Sequence, residues 1–271
     1  MSTRGFIVPI GGAEEKMRNR VILRRYVELC GGADARLAVI PTASQLDDTG
    51  SRYVELFREL GAGAAVELPF ESRNDCERED WLAELSQADG VFLTGGNQLR
   101  LSTTLGGTAV AEMLRQRNAA GMHVAGTSAG AAFMPAHMIA FGDEGGTPHA
   151  DMVTLAPGLG LARGIVVDQH FRQRDRMGRL IAAISYNPKV VGIGLDEDTA
   201  AFLGPDDVLT VSGSGGITIV DPNDLEYSSM DSAQRHDPVS VIGLRLHVLV
   251  EGGSFNLATR QARPAGAMSE R

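Results

Sequence analysis

The chain has 271 residues, of which 43% are hydrophobic and 5% are aromatic. This length is enough to bury one large core, so we expect one α/β domain rather than two. The net charge of −9 argues against a nucleic-acid partner, and no stretch approaches the ~20 apolar residues that cross a membrane. The N-terminal residues also lack the pattern of a signal peptide. We therefore expect a soluble, cytoplasmic protein that binds neither nucleic acid nor membranes, with Cys30 and Cys76 as reduced thiols.

The first two thirds of the sequence alternate short apolar runs with helical patterns. Strands are predicted over residues 6–10, 37–40, 65–68, 90–93, 122–125 and 165–167. Helices are predicted over residues 14–30, 51–60, 81–85, 108–119, 129–138 and 176–185. This alternation is typical of parallel βαβ units with right-handed crossovers. It predicts a three-layer α/β sandwich around a mostly parallel sheet.

The C-terminal part of the chain turns mostly to strands, predicted over residues 190–195, 200–203, 208–211, 217–220 and 244–250. Since no linker-like stretch precedes them, we expect these strands to form an antiparallel extension of the same sheet. A single domain is predicted over residues 1–257, followed by a polar, flexible tail at 258–271. Residues 143–160 are rich in glycine and proline, which predicts a mobile loop.

The pentapeptide Gly126-Thr127-Ser128-Ala129-Gly130 lies between a predicted strand and a predicted helix. A serine at such a turn is held in a strained backbone conformation, with its hydroxyl projecting from the sheet. The flanking glycines leave room for the turn, and the amides that begin the next helix can stabilise an oxyanion. The pattern indicates Ser128 as a nucleophile. The alternative is a glycine-rich turn with an incidental serine.

A serine nucleophile needs a histidine as its base and usually a carboxylate that orients the histidine. His170 is the favoured base because it follows a predicted strand, at the edge of the sheet where ligands bind. Glu197 is the favoured carboxylate and Asp196 the second choice, since both follow the strand at 190–195; a solvated turn is the alternative for them. Asp143 and Glu144 are further candidates, but they lie in a glycine-rich loop that would hold an orienting group poorly. The other histidines lie in the core, on a helix, in a loop, in an exposed segment or within a strand: His123, His137, His149, His236 and His247.

The order of these residues along the chain is serine, histidine, acid, which differs from the serine, acid, histidine order of α/β-hydrolases. An α/β-hydrolase site would instead require His247, which lies inside a strand pattern. Four arginines follow His170 in one short segment, at positions 172, 174, 176 and 179. Such a group suits a substrate with carboxylates, which guanidinium groups bind in a bidentate manner. The alternative is a solvated basic face of a helix.

Motifs spread along the chain in a fixed order resemble those of the cyanophycinase family, serine peptidases related to aspartyl dipeptidase. They cover residues 9–14, 93–98, 126–131, 156–160, 168–171, 174–180 and 192–200. The resemblance implies a class I glutamine amidotransferase-like (flavodoxin-like) fold. It also implies hydrolysis of cyanophycin, a polymer with an aspartate backbone and an arginine joined to each side-chain carboxyl. The product would be the β-aspartyl-arginine dipeptide.

The resemblance also implies roles for individual residues. Ser128 would be the nucleophile, His170 the general base and Glu197 the orienting acid, while Gly96 and Ala129 would supply amides to the oxyanion. The substrate pocket would be lined by Gln98, Asp168, Gln169, Arg174, Arg176 and Arg179. Family members are commonly homodimers, and no metal or organic cofactor is implied.

Two other functions fit the same residues. The first is a dipeptidase that keeps the fold and the triad but acts on short aspartyl or isoaspartyl peptides. The second is a non-enzymatic binding protein that uses the same pocket, which would require the triad to be misassembled. The arginine-rich segment favours the polymer, because it supplies more positive charge than one dipeptide needs.

Overall fold

A computed structural model describes residues 4–266 of the chain, in which strands and helices alternate and strands predominate after residue 186. In this part of the chain the helices are α1 Val21–Leu29, α2 Thr49–Glu59, α3 Glu79–Ser86, α4 Gln98–Leu105, α5 Ala109–Ala119, α6 Ala129–Phe133 and α7 Met177–Tyr186. The strands are β1 Ile7–Ile10, β2 Arg36–Ile40, β3 Ala64–Glu67, β4 Gly90–Leu93, β5 His123–Thr127, β6 His137–Gly142, β7 Val153–Pro157, β8 Ile165–Asp168, β9 Val191–Leu195, β10 Thr199–Leu203, β11 Val208–Gly213, β12 Ile217–Asp221, β13 Tyr227–Ser228, β14 Val241–Ile242, β15 Arg245–Leu249, β16 Ser254–Asn256 and β17 Gln261–Arg263.

A nine-stranded sheet runs through the molecule in the order β17-β16-β11-β10-β1-β5-β4-β2-β3. The strands from β1 to β3 in this order are parallel to one another, as the alternating pattern predicts. On the other side of β1, the strands β10, β11, β16 and β17 continue the sheet in antiparallel register. The chain is therefore a mixed α/β protein with a parallel sheet and an antiparallel extension. The central position of β1 and β5 places the loops that follow them in the middle of the sheet edge.

Both faces of the main sheet are covered, which explains why its central strands are buried along their whole length. On one face α1 and α2 pack through aromatic side chains: the rings of Tyr26, Phe57 and Phe92 lie 5.2–6.1 Å apart. On the other face, side chains of α4 and α5 such as Leu101 and Leu114 are fully buried. Burial of each large apolar side chain contributes about 1.5–3 kcal/mol, so the two apolar layers hold the sheet edge rigidly.

A second sheet of four strands, in the order β15-β12-β9-β8, packs into the core on the same face as α4 and α5. The prediction that residues 190–195, 217–220 and 244–250 extend the main sheet is therefore wrong. They form β9, β12 and β15 of this second sheet, and β8 joins them. After β9 the chain turns at Asp198, whose φ is 49°, and β10 then pairs with β1 of the main sheet. Hydrophobic patterning sets which face of a strand is buried but not which strand becomes its neighbour.

The segment after the serine turn also differs from its prediction. The helix predicted over 129–138 ends at Phe133, because Pro135 has no backbone N–H with which to continue the helix. His137 therefore lies on β6 rather than on a helix. This strand pairs with β7 in antiparallel register, so the loop predicted over residues 143–160 contains a strand.

The helix predicted from residue 14 begins only at Val21. The preceding residues form a loop, in which Ala13 has a φ of 47° and the Glu15 amide donates to Asp198 Oδ1 at 2.9 Å. Contacts with residues distant in sequence thus override the local helical pattern. Helix α4 is an addition that the sequence pattern did not predict.

The C-terminal residues continue the main sheet. β17 pairs with β16, so residues Gln261–Arg263 of the predicted tail form a strand; residues 267–271 lie outside the described residues. Cys30 and Cys76 are both buried free thiols. Among the residues that the structure describes, no helix has the length and apolar character needed to cross a membrane.

Candidate active site

Ser128 occupies the turn between β5 and α6, with φ 51° and ψ −110°. A residue other than glycine at positive φ is strained, and such strain persists only where the surrounding structure enforces it. The flanking glycines are required by close packing. A Cβ on Gly130 would lie 2.3 Å from the Leu93 carbonyl oxygen, and one on Gly126 would lie 2.8 Å from the Met134 methyl group. The turn therefore holds the Ser128 hydroxyl outward at the carboxyl end of a central strand.

The structure brings Ser128, His170 and Glu197 together in a continuous hydrogen-bonded relay. Ser128 Oγ lies 3.0 Å from His170 Nε2, and His170 Nδ1 lies 2.7 Å from Glu197 Oε1. A carboxylate can only accept, so Nδ1 carries the proton that it donates to Glu197. Nε2 is then left with a lone pair directed at the serine hydroxyl. This is the arrangement in which a histidine can remove the proton of a serine nucleophile.

The electrostatic surroundings favour the neutral form of His170. Burial lowers the pKa of His170 below its usual value, and the positive charges of Arg174 and Arg176 lower it further. The hydrogen bond and charge of Glu197 oppose this shift but do not overcome it. A neutral imidazole at neutral pH is the form that a general base requires.

The three residues of the relay come from both sheets: Ser128 follows β5 of the main sheet, whereas His170 and Glu197 follow β8 and β9 of the second. Three consecutive carbonyl groups at the end of β1 hold the loops that carry these residues. The carbonyl oxygens of Ile10, Gly11 and Gly12 accept hydrogen bonds from the amides of Ser128, His170 and Asp198, at 2.9, 2.8 and 2.8 Å. Three strained backbone positions are thereby fixed by one short segment.

Gly12 is a functional position that the sequence analysis did not assign a role. Its φ is 98°, and a Cβ at this position would lie 2.4 Å from Cε1 of the His170 ring. The imidazole therefore packs directly against the Gly12 backbone. The glycine pair that follows the first strand was the signal that could have pointed to it.

The other candidate residues lie outside the relay. Asp196 accepts hydrogen bonds from the Arg172 amide and side chain at 3.1 and 3.3 Å, so the second choice for the acid serves another contact. His123 accepts a hydrogen bond from the Phe6 amide, and it is half-buried rather than enclosed in the core as expected. His247 lies on β15, a strand at the edge of the second sheet. The α/β-hydrolase order of residues therefore has no counterpart at this site.

Gly96 lines the same cleft as Ser128, and Ala129 follows Ser128 in the chain. Gly96 has a φ of 141°, and a Cβ there would lie 2.0 Å from the Ala43 carbonyl oxygen. Ala129 is the first residue of α6, where backbone amides have no partner within the helix. A cleft of about 520 Å³ is lined by Gly95, Gly96 and Ser128. This cleft has room for an acyl group bound to Ser128.

The residues expected to line a substrate pocket divide into a buried group and an accessible group. Asp168 is fully buried and pairs with Arg179 through both carboxylate oxygens, while Arg176 lies 3.5 Å from one of them. Arg176 also donates to the Gln169 carbonyl oxygen at 2.6 Å, and burial lowers its pKa to about 10. The single carboxylate of Asp168 thus compensates only one of the two buried positive charges.

The remaining members of the set differ in how their side chains are used. Gln169 Oε1 lies 3.3 Å from Ser128 Oγ, so this side chain touches the nucleophile. Gln98 donates its amide protons to the main chain of β6, at Ile139 and Ala140. Arg174 is exposed and close enough to His170 to affect its pKa.

A further polar cluster borders the cleft on the side away from His170. Glu14 is buried and accepts hydrogen bonds from Tyr53 and Thr127, and Lys16 Nζ lies 3.0 Å from its carboxylate. The helical pattern from residue 14 onward does not indicate a role for Glu14 at the cleft. Its position directly after the glycine turn of the first strand was the available signal.

Comparison with known proteins places these observations in a family. A model of peptidase family S51 matches residues 7–211, which is most of the chain. The chain belongs to this family. The cyanophycinase of Trichormus variabilis is 44% identical over 266 residues, covering 97% of this chain and 89% of the relative. The cyanophycinase of Thermosynechococcus vestitus is 43% identical over 262 residues, covering 96% and 81%.

More distant proteins share parts of the sequence or the fold. Peptidase E of Streptomyces coelicolor is 37% identical over 98 residues, 36% of this chain and 37% of that protein. The crystal structure of a peptidase from an acI-B1 Actinobacterium superimposes with a TM-score of 0.68 at 20% identity, covering 93% of this chain and 97% of the other. At that level of identity the likeness concerns the fold alone.

Proposed function

We propose that this S51 peptidase is a cyanophycinase, a serine hydrolase that degrades cyanophycin to β-aspartyl-arginine dipeptides. The observation that carries hydrolysis is the relay from Ser128 through His170 to Glu197 on a strained turn. The substrate follows from identities of 43–44% to cyanophycinases over at least 96% of the chain.

In the proposed mechanism, Ser128 Oγ attacks a backbone carbonyl carbon of the polymer while His170 Nε2 takes its proton. The tetrahedral oxyanion accepts hydrogen bonds from the Gly96 and Ala129 amides. His170 then donates its proton to the leaving amine, and an acyl-enzyme on Ser128 remains. Water, deprotonated by the same histidine, releases the product. Glu197 stabilises the transient imidazolium and keeps Nδ1 protonated throughout.

We propose different roles for the arginines of the pocket according to their burial. Each arginine unit of cyanophycin carries a free α-carboxylate, and Arg174 offers an exposed guanidinium beside His170 to bind it. Arg176 and Arg179 are already paired with Asp168, so we assign these three to positioning the segment that carries Gln169. Gln98 fixes β6 at the rim of the pocket.

The finer architecture is also part of the proposal. A central parallel sheet with a nucleophile turn after β5 supports a class I glutamine amidotransferase-like fold. The two apolar layers around one main sheet support a single peptidase domain. The free thiols of Cys30 and Cys76 fit a cytoplasmic protein. The homodimer rests on the family resemblance.

The test is to incubate wild type, Ser128→Ala and Ser86→Ala with purified cyanophycin and to identify products by mass spectrometry. Ser86 lies on α3 and is exposed, so it serves as a matched serine control. We expect β-aspartyl-arginine from wild type and Ser86→Ala, and none from a folded Ser128→Ala. Turnover of short aspartyl peptides without release from the polymer would favour the dipeptidase instead. Undiminished activity of Ser128→Ala would refute the mechanism.

A further inference from the structure

A second cluster of chemically reactive side chains lies apart from the relay. His149, Asp151 and His236 each offer a ligand atom, and these atoms all lie within 4.8 Å of one another. His149 and Asp151 precede β7, and His236 lies between β13 and β14. We call these three residues the His149 cluster.

Backbone hydrogen bonds fix the two loops of the His149 cluster against each other. The amide of Ala150 donates to the Asp237 carbonyl oxygen at 3.0 Å, and the amide of Val239 donates to the Pro148 carbonyl oxygen at 2.9 Å. A bridge between His149 and Pro238 lies between these bonds. The two histidines therefore approach each other because the main chain holds them there.

The orientation of the His149 ring leaves one nitrogen lone pair available to bind a metal ion. His149 Nδ1 lies 3.0 Å from the Ala150 carbonyl oxygen, which can only accept, so Nδ1 is protonated and Nε2 has the free lone pair. Such a carbonyl contact on the other ring nitrogen is typical of histidines that bind metals.

The two carboxylate oxygens of Asp151 face different groups, and this arrangement also suits the binding of a metal ion. Arg235 donates to Oδ2 at 2.8 Å, whereas Oδ1 lies 3.5 Å from His236 Nδ1. Two atoms bound at about 2.1 Å to a tetrahedral ion lie about 3.4 Å apart. The pair formed by Asp151 and His236 already has this spacing, and Arg235 would orient the carboxylate from behind.

Asp143 supplies a fourth group. Its Oδ2 lies 4.0 Å from His149 Nε2, and its side chain is exposed. Two imidazoles and two carboxylates form a donor set that suits Zn²⁺, whereas Mg²⁺ and Ca²⁺ prefer oxygen ligands alone. We propose that His149, Asp151 and His236, with Asp143, form a binding site for a divalent transition-metal ion of the Zn²⁺ type.

The bound ion would act on the structure and take no part in hydrolysis. The loop that carries His149 is joined to the segment before α7, since the Gly145 amide donates to Asp175 and the Gly178 amide donates to Gly145. That segment carries Arg174. An ion at the His149 cluster would therefore connect the β13–β14 region to a loop that borders the active site, and would stabilise the native state.

The proposal is tested by titrating ZnCl₂ into untagged full-length protein that has been stripped with a chelator, in competition with a chromophoric zinc indicator. We expect one Zn²⁺ per chain, with affinity at least about tenfold lower in His149→Ala and His236→Ala. His137→Ala is the matched control, because His137 is an exposed histidine outside the cluster and should leave binding unchanged. MgCl₂ should not compete.

The thermal midpoint gives a second readout. Zn²⁺ should raise the Tm of wild type and His137→Ala but not that of His236→Ala, whose side chain is 67% exposed so that folding is not at stake. Absence of Zn²⁺ binding by the wild type, or equal affinity in wild type and His236→Ala, would overturn the proposal.

Discussion

Replacement of Gly12 by alanine should strongly reduce catalysis in a protein that still folds. The added methyl group would lie 2.4 Å from His170 Cε1, where ordinary van der Waals contact begins at 3.4 Å. The imidazole must therefore move by about 1 Å, because the Gly12 backbone is held by its hydrogen bond to the Asp198 amide. The methyl group would also lie 2.5 Å from Nε2, the ring atom that contacts Ser128, so this displacement acts directly on the relay.

The structure gives the size of the expected effect. Lengthening the 3.0 Å separation of Ser128 Oγ and His170 Nε2 by about 1 Å takes it beyond hydrogen-bonding distance. Loss of a positioned general base costs about 10²–10⁴-fold in rate. The positive φ of 98° adds a backbone strain of about 1–3 kcal/mol for alanine. We therefore expect a folded, less stable protein with kcat reduced by about 10²-fold or more.

Gly61→Ala separates the two causes. Gly61 has a φ of 95°, nearly that of Gly12, but a Cβ there would meet nothing within 4 Å. The Tm of both variants should fall by about 2–4 °C for each kcal/mol of backbone strain. Only Gly12→Ala should release the dipeptide from cyanophycin more slowly than wild type. The reasoning is refuted if folded Gly12→Ala turns over cyanophycin at a rate close to that of wild type. Equal loss of activity in Gly61→Ala would also refute it.

Three further changes have signs or sizes fixed by the structure. Arg174→Gln removes the guanidinium proposed to bind a substrate carboxylate, so KM should rise. It also removes a positive charge that lowers the pKa of His170, so the acidic limb of the kcat/KM profile should move to higher pH from its wild-type position below about 6.5. Glu197→Gln removes the contact that raises the same pKa, so kcat should fall by about 10³–10⁴-fold and the limb should move to lower pH; limbs that move in the same direction would contradict the assignment. Asp168→Asn leaves two buried guanidinium groups without their carboxylate and should lower the free energy of unfolding by about 3–5 kcal/mol in urea titrations. Asp80→Asn, which removes an exposed ion pair, should leave it almost unchanged; similar losses in the two variants would rule out a structural role for the buried carboxylate.

The three residues of the relay could be chosen from the sequence because each follows a strand. Ser128, His170 and Glu197 are polar residues at the ends of apolar runs, and ligands collect at the carboxyl ends of parallel strands. The choice among six histidines could be made on this ground alone. The sequence could not indicate that two of the three residues follow strands of a second sheet, because strand pairing depends on packing between distant segments.

The arginines of the pocket show a second limit of prediction from the sequence. Arg174, Arg176 and Arg179 are close in sequence, and the sequence analysis assigned them one role. In the structure Arg174 is exposed, while Arg176 and Arg179 are buried around Asp168. Spacing along the chain indicates which side chains share a face, but whether that face meets solvent or a buried carboxylate depends on the tertiary fold.

The segment after β1 explains how a relay assembled from two sheets keeps hydrogen-bonding geometry. Ser128, His170 and Asp198 all have positive φ values, of 51°, 47° and 49°. Each strained position costs of the order of 1–3 kcal/mol and is held by a hydrogen bond from its amide to residue 10, 11 or 12. These three carbonyls are consecutive on one rigid chain segment at the end of a central strand. The spacing of the loops is therefore set by the main chain of β1, which makes Gly12 the position where a single methyl group disturbs the relay most directly.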